Sequence, residues 1–507
     1  MSGPTTEPLR LGIAGLGTVG AGVVKIVRQK SALLQDRAGR RIEISAVSAR
    51  NRDKDRGVSL EPYEWQDDPV ALAQRDDVDV FVELVGGSDG PAKAAVEAAL
   101  KAGKDVVTAN KALLAHHGQA LAELAEQNGA VLRFEAAVAG GIPVIKALTE
   151  SLAGNEITRV MGVMNGTCNY ILTRMESAGL AYAEAFAEAD ALGFLEADPE
   201  LDVGGIDAGH KLSLLASIAF GTQVAFAGVD LEGIGRVSID DIRQASDMGY
   251  KIKLLGVCRL TGRGLEQSMS PCLVPATSPL GQLDGGTNMV VIEGDQVGQI
   301  VMRGAGAGEG PTASAVMGDV MDIARGTRVT TFGAPASRLV AATPAQTATP
   351  APYYLRMNLA DKPGALAKVA AALGDAGVSI HRMRQYDHVD NSAPVLIVTH
   401  LTTRAALDQA LDAIPTTGVV QDRPIALRIE AVGPRSWRPC AFRPLPGGAA
   451  ARVSATGLVL SFRGGLHPWR QTFQRKTPCR SPRISMTACF RWAWHGWPNR
   501  LPSPRQS

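Results

Sequence analysis

The stretch Leu9-Arg10-Leu11-Gly12-Ile13-Ala14-Gly15-Leu16-Gly17-Thr18-Val19-Gly20 decides the fold. An apolar run from Leu9 to Ala14 flows into a glycine turn, after which Val23, Val24, Ile26 and Val27 suggest a helix. Strand, glycine turn and helix give each glycine a task. Gly15 permits the tight turn, Gly17 lets the backbone approach a pyrophosphate, and Gly20 allows close helix packing, while the helix N-terminus offers N–H groups to the anion. A glycine fingerprint alone is a weak signal. Its place between strand and helix makes Gly15, Leu16, Gly17, Thr18, Val19 and Gly20 a dinucleotide-binding turn.

Outward from this turn the alternation continues. A second strand over 41–47 should end where the adenosine ribose sits, and an acid there would bind the 2′-hydroxyl of NAD. The chain instead reads Ser48-Ala49-Arg50-Asn51-Arg52, which suits a 2′-phosphate and favours NADP, with Arg50 as the expected contact and NAD as the alternative. Strands over 78–85, 105–108 and 130–136 alternate with helices over 91–102 and 111–127. That rhythm predicts a Rossmann-type, doubly wound parallel sheet over 1–141, an α/β fold.

Composition sets the wider frame. The 507 residues are 45% hydrophobic and 20% charged, enough for about three domains of ordinary size. No apolar run approaches the roughly 20 residues that span a bilayer, and MSGPTTEPLR is not a signal segment, so a soluble, cytoplasmic protein without membrane partners is expected. The net charge of +2 averages two unlike parts. Residues 433–507 hold 12 Arg, one Lys and no acid, a charge of +13 that leaves the remainder at −11. Arg interleaved with Trp would suit nucleic acid. The abrupt texture instead reads as a GC-rich gene translated out of frame, and this basic tail is expected to be disordered, with no nucleic-acid partner. Cys168, Cys258 and Cys272 lack metal-ligand spacing.

Further motifs carry chemistry. Thr108-Ala109-Asn110-Lys111 puts a lysine just beyond a strand's carboxyl end, the edge where such sheets bind ligands. Asn165-Gly166-Thr167-Cys168-Asn169-Tyr170, then Glu196-Ala197-Asp198-Pro199-Glu200-Leu201-Asp202 through Asp207 to Lys211, then GAGAGEGPTASAV over 304–316 follow in order. With the first glycine turn, this series closely resembles the homoserine dehydrogenase family over about 9–330.

The resemblance implies reversible, NAD(P)-dependent interconversion of L-homoserine and L-aspartate 4-semialdehyde, a branch point toward threonine and methionine. It implies proton transfer by Lys211, aided by Asp207, with Lys111 between nicotinamide and substrate. Glu196 and Asp202 match substrate-holding residues, as a pair of carboxylates suits an α-ammonium. Gly166 and Thr167 resemble the substrate loop, and Gly308 or Gly310 should approach the cofactor. Glu135, Val138, Gly140 and Ile142 resemble a monovalent-cation site such as one for Na+, and oxygen ligands suit it. From spacing alone, Asp207 and Lys211 read as a surface ion pair. A lysine base would need its pKa to fall from about 10.4 toward roughly 7 to 8; in the reverse direction it acts as the acid.

The region over 142–302 is expected to be an α+β substrate and dimerisation domain, giving a homodimer or homotetramer, with 303–330 returning to complete the nucleotide domain. Residues 341–352 (AATPAQTATPAP) predict a semi-extended linker. Beyond it, 353–432 shows a βαββαβ order, a ferredoxin-like sheet whose opening resembles an ACT domain. That resemblance implies threonine binding near Gly364 and feedback control, against a purely structural dimerisation role. An aspartokinase fusion is not expected, since eight residues precede Leu9. Two other functions compete: a phosphorylating aspartate-semialdehyde-type dehydrogenase using Cys168 as nucleophile, and a non-catalytic amino-acid sensor. A chain ended after Val432 is expected to keep its full catalytic rate in a steady-state assay; a lost rate would give the tail a function.

Overall fold

The computed structural model describes residues 7–196, 198–386 and 392–432. The tail 433–507, and the disorder expected of it, lie outside them.

Six parallel strands form the first sheet: β1 (Leu9–Ala14), β2 (Ile42–Ser48), β3 (Glu64–Gln66), β4 (Val80–Glu83), β5 (Asp105–Thr108) and β6 (Leu132–Arg133). Their order is β3-β2-β1-β4-β5-β6, so the chain reverses direction across the sheet between β1 and β4 and opens a crevice beyond their carboxyl ends. Helices on both faces explain why these strands read as continuous apolar runs; Leu11, Ile13, Val80, Phe81, Val82, Val106 and Val107 are all buried. The helix Glu309–Ala324 returns from the second region onto the helix Thr18–Gln29. A Cβ at Gly22 would lie 2.8 Å from Glu309 Cγ, so glycine brings the two helices together. Glu309 then reaches Lys25 at 2.8 Å, an ion pair between the two helices.

The second sheet begins with β7 (Ile157–Val163), β8 (Asp230–Leu231), β9 (Tyr250–Thr261), β10 (Gly264–Pro275), β11 (Thr287–Gly294) and β12 (Gly298–Ala305). It continues through the ferredoxin-like strands β13 (Tyr353–Ala360), β14 (Ile380–Gln385), β15 (Ser392–Thr399) and β16 (Ile425–Ile429), in the order β12-β11-β7-β9-β10-β16-β13-β15-β14, with β8 beside β10. The helices Gly166–Ala178 and Ile206–Phe220 pack on its first part.

This continuity refines the picture of a separate module behind a linker. β16 pairs in parallel with β10, setting Cys272 against Arg428 and Leu273 against Ile429. The stretch 341–352 is extended but tied down: Leu265 N donates to Thr343 O at 2.8 Å and Ala345 N to Leu265 O at 2.9 Å. Glu430, 3% exposed, lies just past β16. Its carboxylate meets Arg428 at 2.6 Å, Arg259 at 3.1 Å and Arg159 at 3.2 Å, and Arg159 is also held by Glu293 at 2.6 Å. Burial alone would raise the Glu430 pKa, but Arg428 and Arg259 outweigh it and hold the carboxyl below its ordinary value.

Glu430→Gln should therefore cost about 3–5 kcal/mol of unfolding free energy, because it leaves buried guanidinium groups short of an anion. Since the folded pKa is depressed, the wild-type advantage should be present above the unfolded value of about 4.3 and vanish as pH falls through the folded one. Urea unfolding of both proteins at neutral and acid pH checks the magnitude and the sign.

Candidate active site

At the nucleotide turn, Gly15 has φ +94° and a Cβ there would collide with the Leu84 carbonyl, while a Cβ at Gly20 would collide with Gly15 O. Gly17 has nothing within 4 Å of where a Cβ would stand, so the approach to the head of the helix Thr18–Gln29 is open. These positions fit a pyrophosphate. Arg50 is exposed just past β2. Arg52 and Arg56 lie over the Trp65 ring at 5.7 and 5.9 Å, and Arg56 Nε donates to Leu16 O at 3.0 Å. Sequence reasoning missed Arg56, because its place depends on the fold of the irregular loop that follows β2.

The carboxyl ends of β4 and β5 set the next functional group. Glu83 accepts from Val85 N and Gly86 N, and from Thr108 Oγ1 at 2.5 Å. Asn110 Oδ1 then caps the following helix by accepting from Leu113 N at 3.0 Å. Lys111 is thereby fixed as the first residue of the helix Lys111–Gln127, at the sheet's ligand-binding edge.

Facing it is the head of the helix Ile206–Phe220, entered through Gly205 at φ +83°. Asp207 is buried and its two oxygens divide between two lysines: Oδ1 lies 2.9 Å from Lys111 Nζ and Oδ2 2.5 Å from Lys211 Nζ. The four-residue spacing puts Asp207 and Lys211 on one helix face, but that face is interior. Asp207 is 6% and Lys211 9% exposed, so the surface-pair reading is excluded. Lys211 Nζ also donates to Met164 O at 3.0 Å. Burial would raise the Asp207 pKa, yet Lys211 and Lys111 hold it far below the carboxylate range. Burial would lower that of Lys111, yet Asp207 outweighs it and the pKa is raised. Asp207 thus favours the charged form of Lys111.

A cavity of about 680 Å³ joins these groups to Glu196, Asp202, Gly166 and Thr167 on one side and Val19, Gly140 and Gly308 on the other. Asp202 is buried and held by Asn165 Nδ2 at 2.7 Å and by Glu196 N at 3.0 Å. Asn165, which sequence reasoning assigned no role, also caps the helix Gly166–Ala178. Glu196 is exposed and is among the residues lining the cavity. Thr167 Oγ1 donates to Phe194 O at 2.8 Å. Gly308, at φ +115°, caps the returning helix, and Gly310 has open space around it.

Cys168 lacks the setting that activates a thiol nucleophile. Burial pushes its thiol well above the ordinary range, and the sulfur points to Asp202 O at 3.2 Å. Glu135 is buried, and its two oxygens accept from Ile145 N and Lys146 N, both at 2.9 Å. Burial and the neighbouring Asp319 raise its pKa to about 7. Beside it, Ala139 and Gly140 both take the left-handed conformation, at φ +56° and +55°, within the turn carrying Val138, Gly140 and Ile142. Among the described residues no group of three or more His, Cys, Asp or Glu side chains converges for a metal ion, so an ion at this turn would rest on carbonyls and Glu135.

Comparison with known proteins is consistent along the chain. Residues 15–135 match the family described as "Homoserine dehydrogenase, NAD binding domain", residues 143–321 that described as "Homoserine dehydrogenase", and residues 353–414 the ACT domain. The chain is 42% identical over 438 residues to the homoserine dehydrogenase of Neisseria gonorrhoeae, covering 84% of this chain and 99% of that one. Over 444 residues it is 43% identical to that of Mycobacterium tuberculosis, with the same coverage. Among solved structures, a homoserine dehydrogenase from Thiobacillus denitrificans superposes with a TM-score of 0.80 at 37% identity, covering 84% of this chain and 99% of that one. A hyperthermophilic archaeal homoserine dehydrogenase in complex with NADPH gives 0.53 at 27% identity, over 62% and 97%.

Asp207→Asn removes the charge that lets two ammonium groups share one cavity. The rate should fall about 10²-fold or more, as expected when reacting groups are misplaced by an ångström, while circular dichroism stays that of the wild type.

Proposed function

The chain belongs to the homoserine dehydrogenase family, NAD(P)-dependent oxidoreductases acting on the hydroxyl of homoserine, and from that premise we propose how its own residues carry out the reaction. The observation that carries the reading is the Lys111–Asp207–Lys211 bridge, set in a cavity at the nucleotide sheet's carboxyl edge. A nicotinamide dinucleotide held at the Gly15–Gly20 turn would supply the hydride chemistry at the carbonyl carbon of L-aspartate 4-semialdehyde, or at the hydroxyl-bearing carbon of L-homoserine in reverse. Lys211 delivers the balancing proton to the carbonyl oxygen and retrieves it in the oxidation. Lys111, kept charged by Asp207, offsets negative charge growing on that oxygen. Asp202, fixed by Asn165, and Glu196 at the rim hold the α-ammonium. Gly166 and Thr167 shape the substrate loop.

For the cofactor, the glycine turn accepts the pyrophosphate, and Arg50, with no acid at the end of β2, favours NADP over NAD. Of Gly308 and Gly310, Gly308 lines the cavity and would approach the cofactor from the returning loop. A monovalent cation such as Na+ at Glu135, Val138, Gly140 and Ile142 would offset a carboxylate that burial and Asp319 otherwise push toward neutrality; each Glu135 oxygen has a lone pair beyond its backbone partner. In the pathway leading to threonine and methionine, threonine bound by the ACT module near Gly364 would feed back on the rate. The pairing of β16 with β10 and the Glu430–Arg159 contact support such a link, because Arg159 lies on the strand that ends one residue before Met164. Assembly as a homodimer or homotetramer fits the edge position of β12, where Val301 stays exposed. The sensor alternative is less well supported, since a binding module needs no pair of lysines bridged by a buried aspartate.

Mixing the protein with aspartate 4-semialdehyde and NADPH in phosphate-free buffer should oxidise the cofactor. Lys211→Ala should slow this by about 10²–10⁴-fold, the usual contribution of a positioned acid. Folded protein that binds NADPH without turnover would refute the assignment.

A further inference from the structure

Asn288 lies on β11, outside the motifs that mark the site in sequence, yet it forms part of the catalytic cavity's wall and is 1% exposed. The strand register explains its position. Met289 pairs with Val163 across β11 and β7, so the preceding residue falls beside Met164. Asn288 Nδ2 donates to Met164 O at 3.1 Å, and the same carbonyl accepts from Lys211 Nζ at 3.0 Å. One backbone oxygen therefore holds both the amide and the lysine read as the proton-transfer group.

This shared carbonyl also fixes which way the amide points. A carbonyl can only accept, so the Asn288 NH2 group faces Met164 and Oδ1 faces away. Oδ1 is buried and has no hydrogen-bond partner in the structure. An amide with half its capacity unmet is a poor choice for packing, because a leucine of similar size would leave no acceptor dry. Its donating half accounts for its presence.

One glycine makes room for it: a Cβ at Gly306 would overlap the Asn288 amide, whereas a Cβ at Gly166 would stand in ordinary contact with its oxygen, 3.5 Å away. Gly306 belongs to the returning loop that leads to Gly308, and Gly166 belongs to the substrate loop. Gly306, Ala307 and Gly308 line the same cavity as Gly166 and Thr167. Asn288 is thus keyed between the loop assigned to the cofactor and the loop assigned to the substrate, with its donor on the carbonyl that receives Lys211.

We propose that Asn288 is a positioning residue for hydride and proton transfer: it fixes the Met164 carbonyl against which Lys211 is set and keeps the two loops in register with that lysine. The proposal rests on the reading of Lys211 as the proton-transfer group. Asn288 itself need touch neither substrate nor cofactor.

Asn288→Leu and the smaller Asn288→Ala, made in the full chain, test it through kcat, both KM values and thermal unfolding. Positioning predicts that kcat falls about tenfold or more in a variant whose melting temperature matches the wild type. KM for NADPH should stay within about twofold, and the primary isotope effect with 4-deuterated NADPH should rise as chemistry becomes slower than release. Wild-type kcat in a variant that folds overturns the proposal. So does a rate loss that only tracks lost stability in both variants, or one expressed wholly in KM for NADPH. The dehydrogenase reading is judged separately, by turnover of the wild type in the same assay.

Discussion

Two ammonium groups confined to one cavity repel each other. At an effective dielectric constant of about 20, like charges 4 Å apart cost on the order of 4 kcal/mol. Asp207 removes that conflict by giving one oxygen to Lys111 and the other to Lys211. The constraint reaches into the fold. Lys111 must start a helix at the end of β5, which the Glu83–Thr108 and Asn110 contacts arrange. Asp207 and Lys211 must start another helix on the opposite wall, which the left-handed Gly205 arranges. Nucleotide sheet and substrate region are therefore locked together at the cavity they share.

The strand β7 extends this logic toward the ACT module. One of its residues, Arg159, joins the buried Glu430 cluster, and the strand runs directly into Met164, whose carbonyl holds Lys211. An effector acting on the ACT strands would therefore work on a structure already continuous with the site. Continuity supplies a route; coupling also requires an effector that binds two arrangements with different affinity.

The nucleotide half was the most legible in sequence because its signals are local. The apolar run into Gly15-Leu16-Gly17 and the lysine after Thr108 need only neighbouring residues to be read. β10 is hard to read in sequence for the opposite reason. It alternates buried residues with Glu266, Ser268 and Ser270 and carries Pro271, so it resembles a loop until β9 is placed beside it. The pairing of β16 with β10 is a contact between distant segments and leaves no periodic trace. In the site, the spacing of Asp207 and Lys211 was visible but burial was not, and burial separates this pair from an ordinary surface one. The resemblance supplied the roles of Glu196 and Asp202, which composition could not. Asn165, Arg56 and Asn288 act through tertiary hydrogen bonds and carry no motif by which a single sequence would mark them.

Buried charge in this protein gathers at junctions. Arg133 and Lys146 meet Asp319 and Asp322 where the returning helix crosses the end of the first sheet. Asp207 bridges the cavity walls, and Glu430 gathers three arginines where the ACT strands join the second sheet. Buried ion pairs gain little over well-packed apolar residues of similar volume, while breaking one is costly. The apolar cores around Leu11, Val290 and Leu355 already bury the surface that drives folding. What an ionic cluster adds is a penalty for misalignment, since a small slip leaves a charge both buried and unpaired. A reaction that needs a nicotinamide, a carbonyl carbon and a lysine within contact distance benefits from that penalty at each junction between segments distant in sequence.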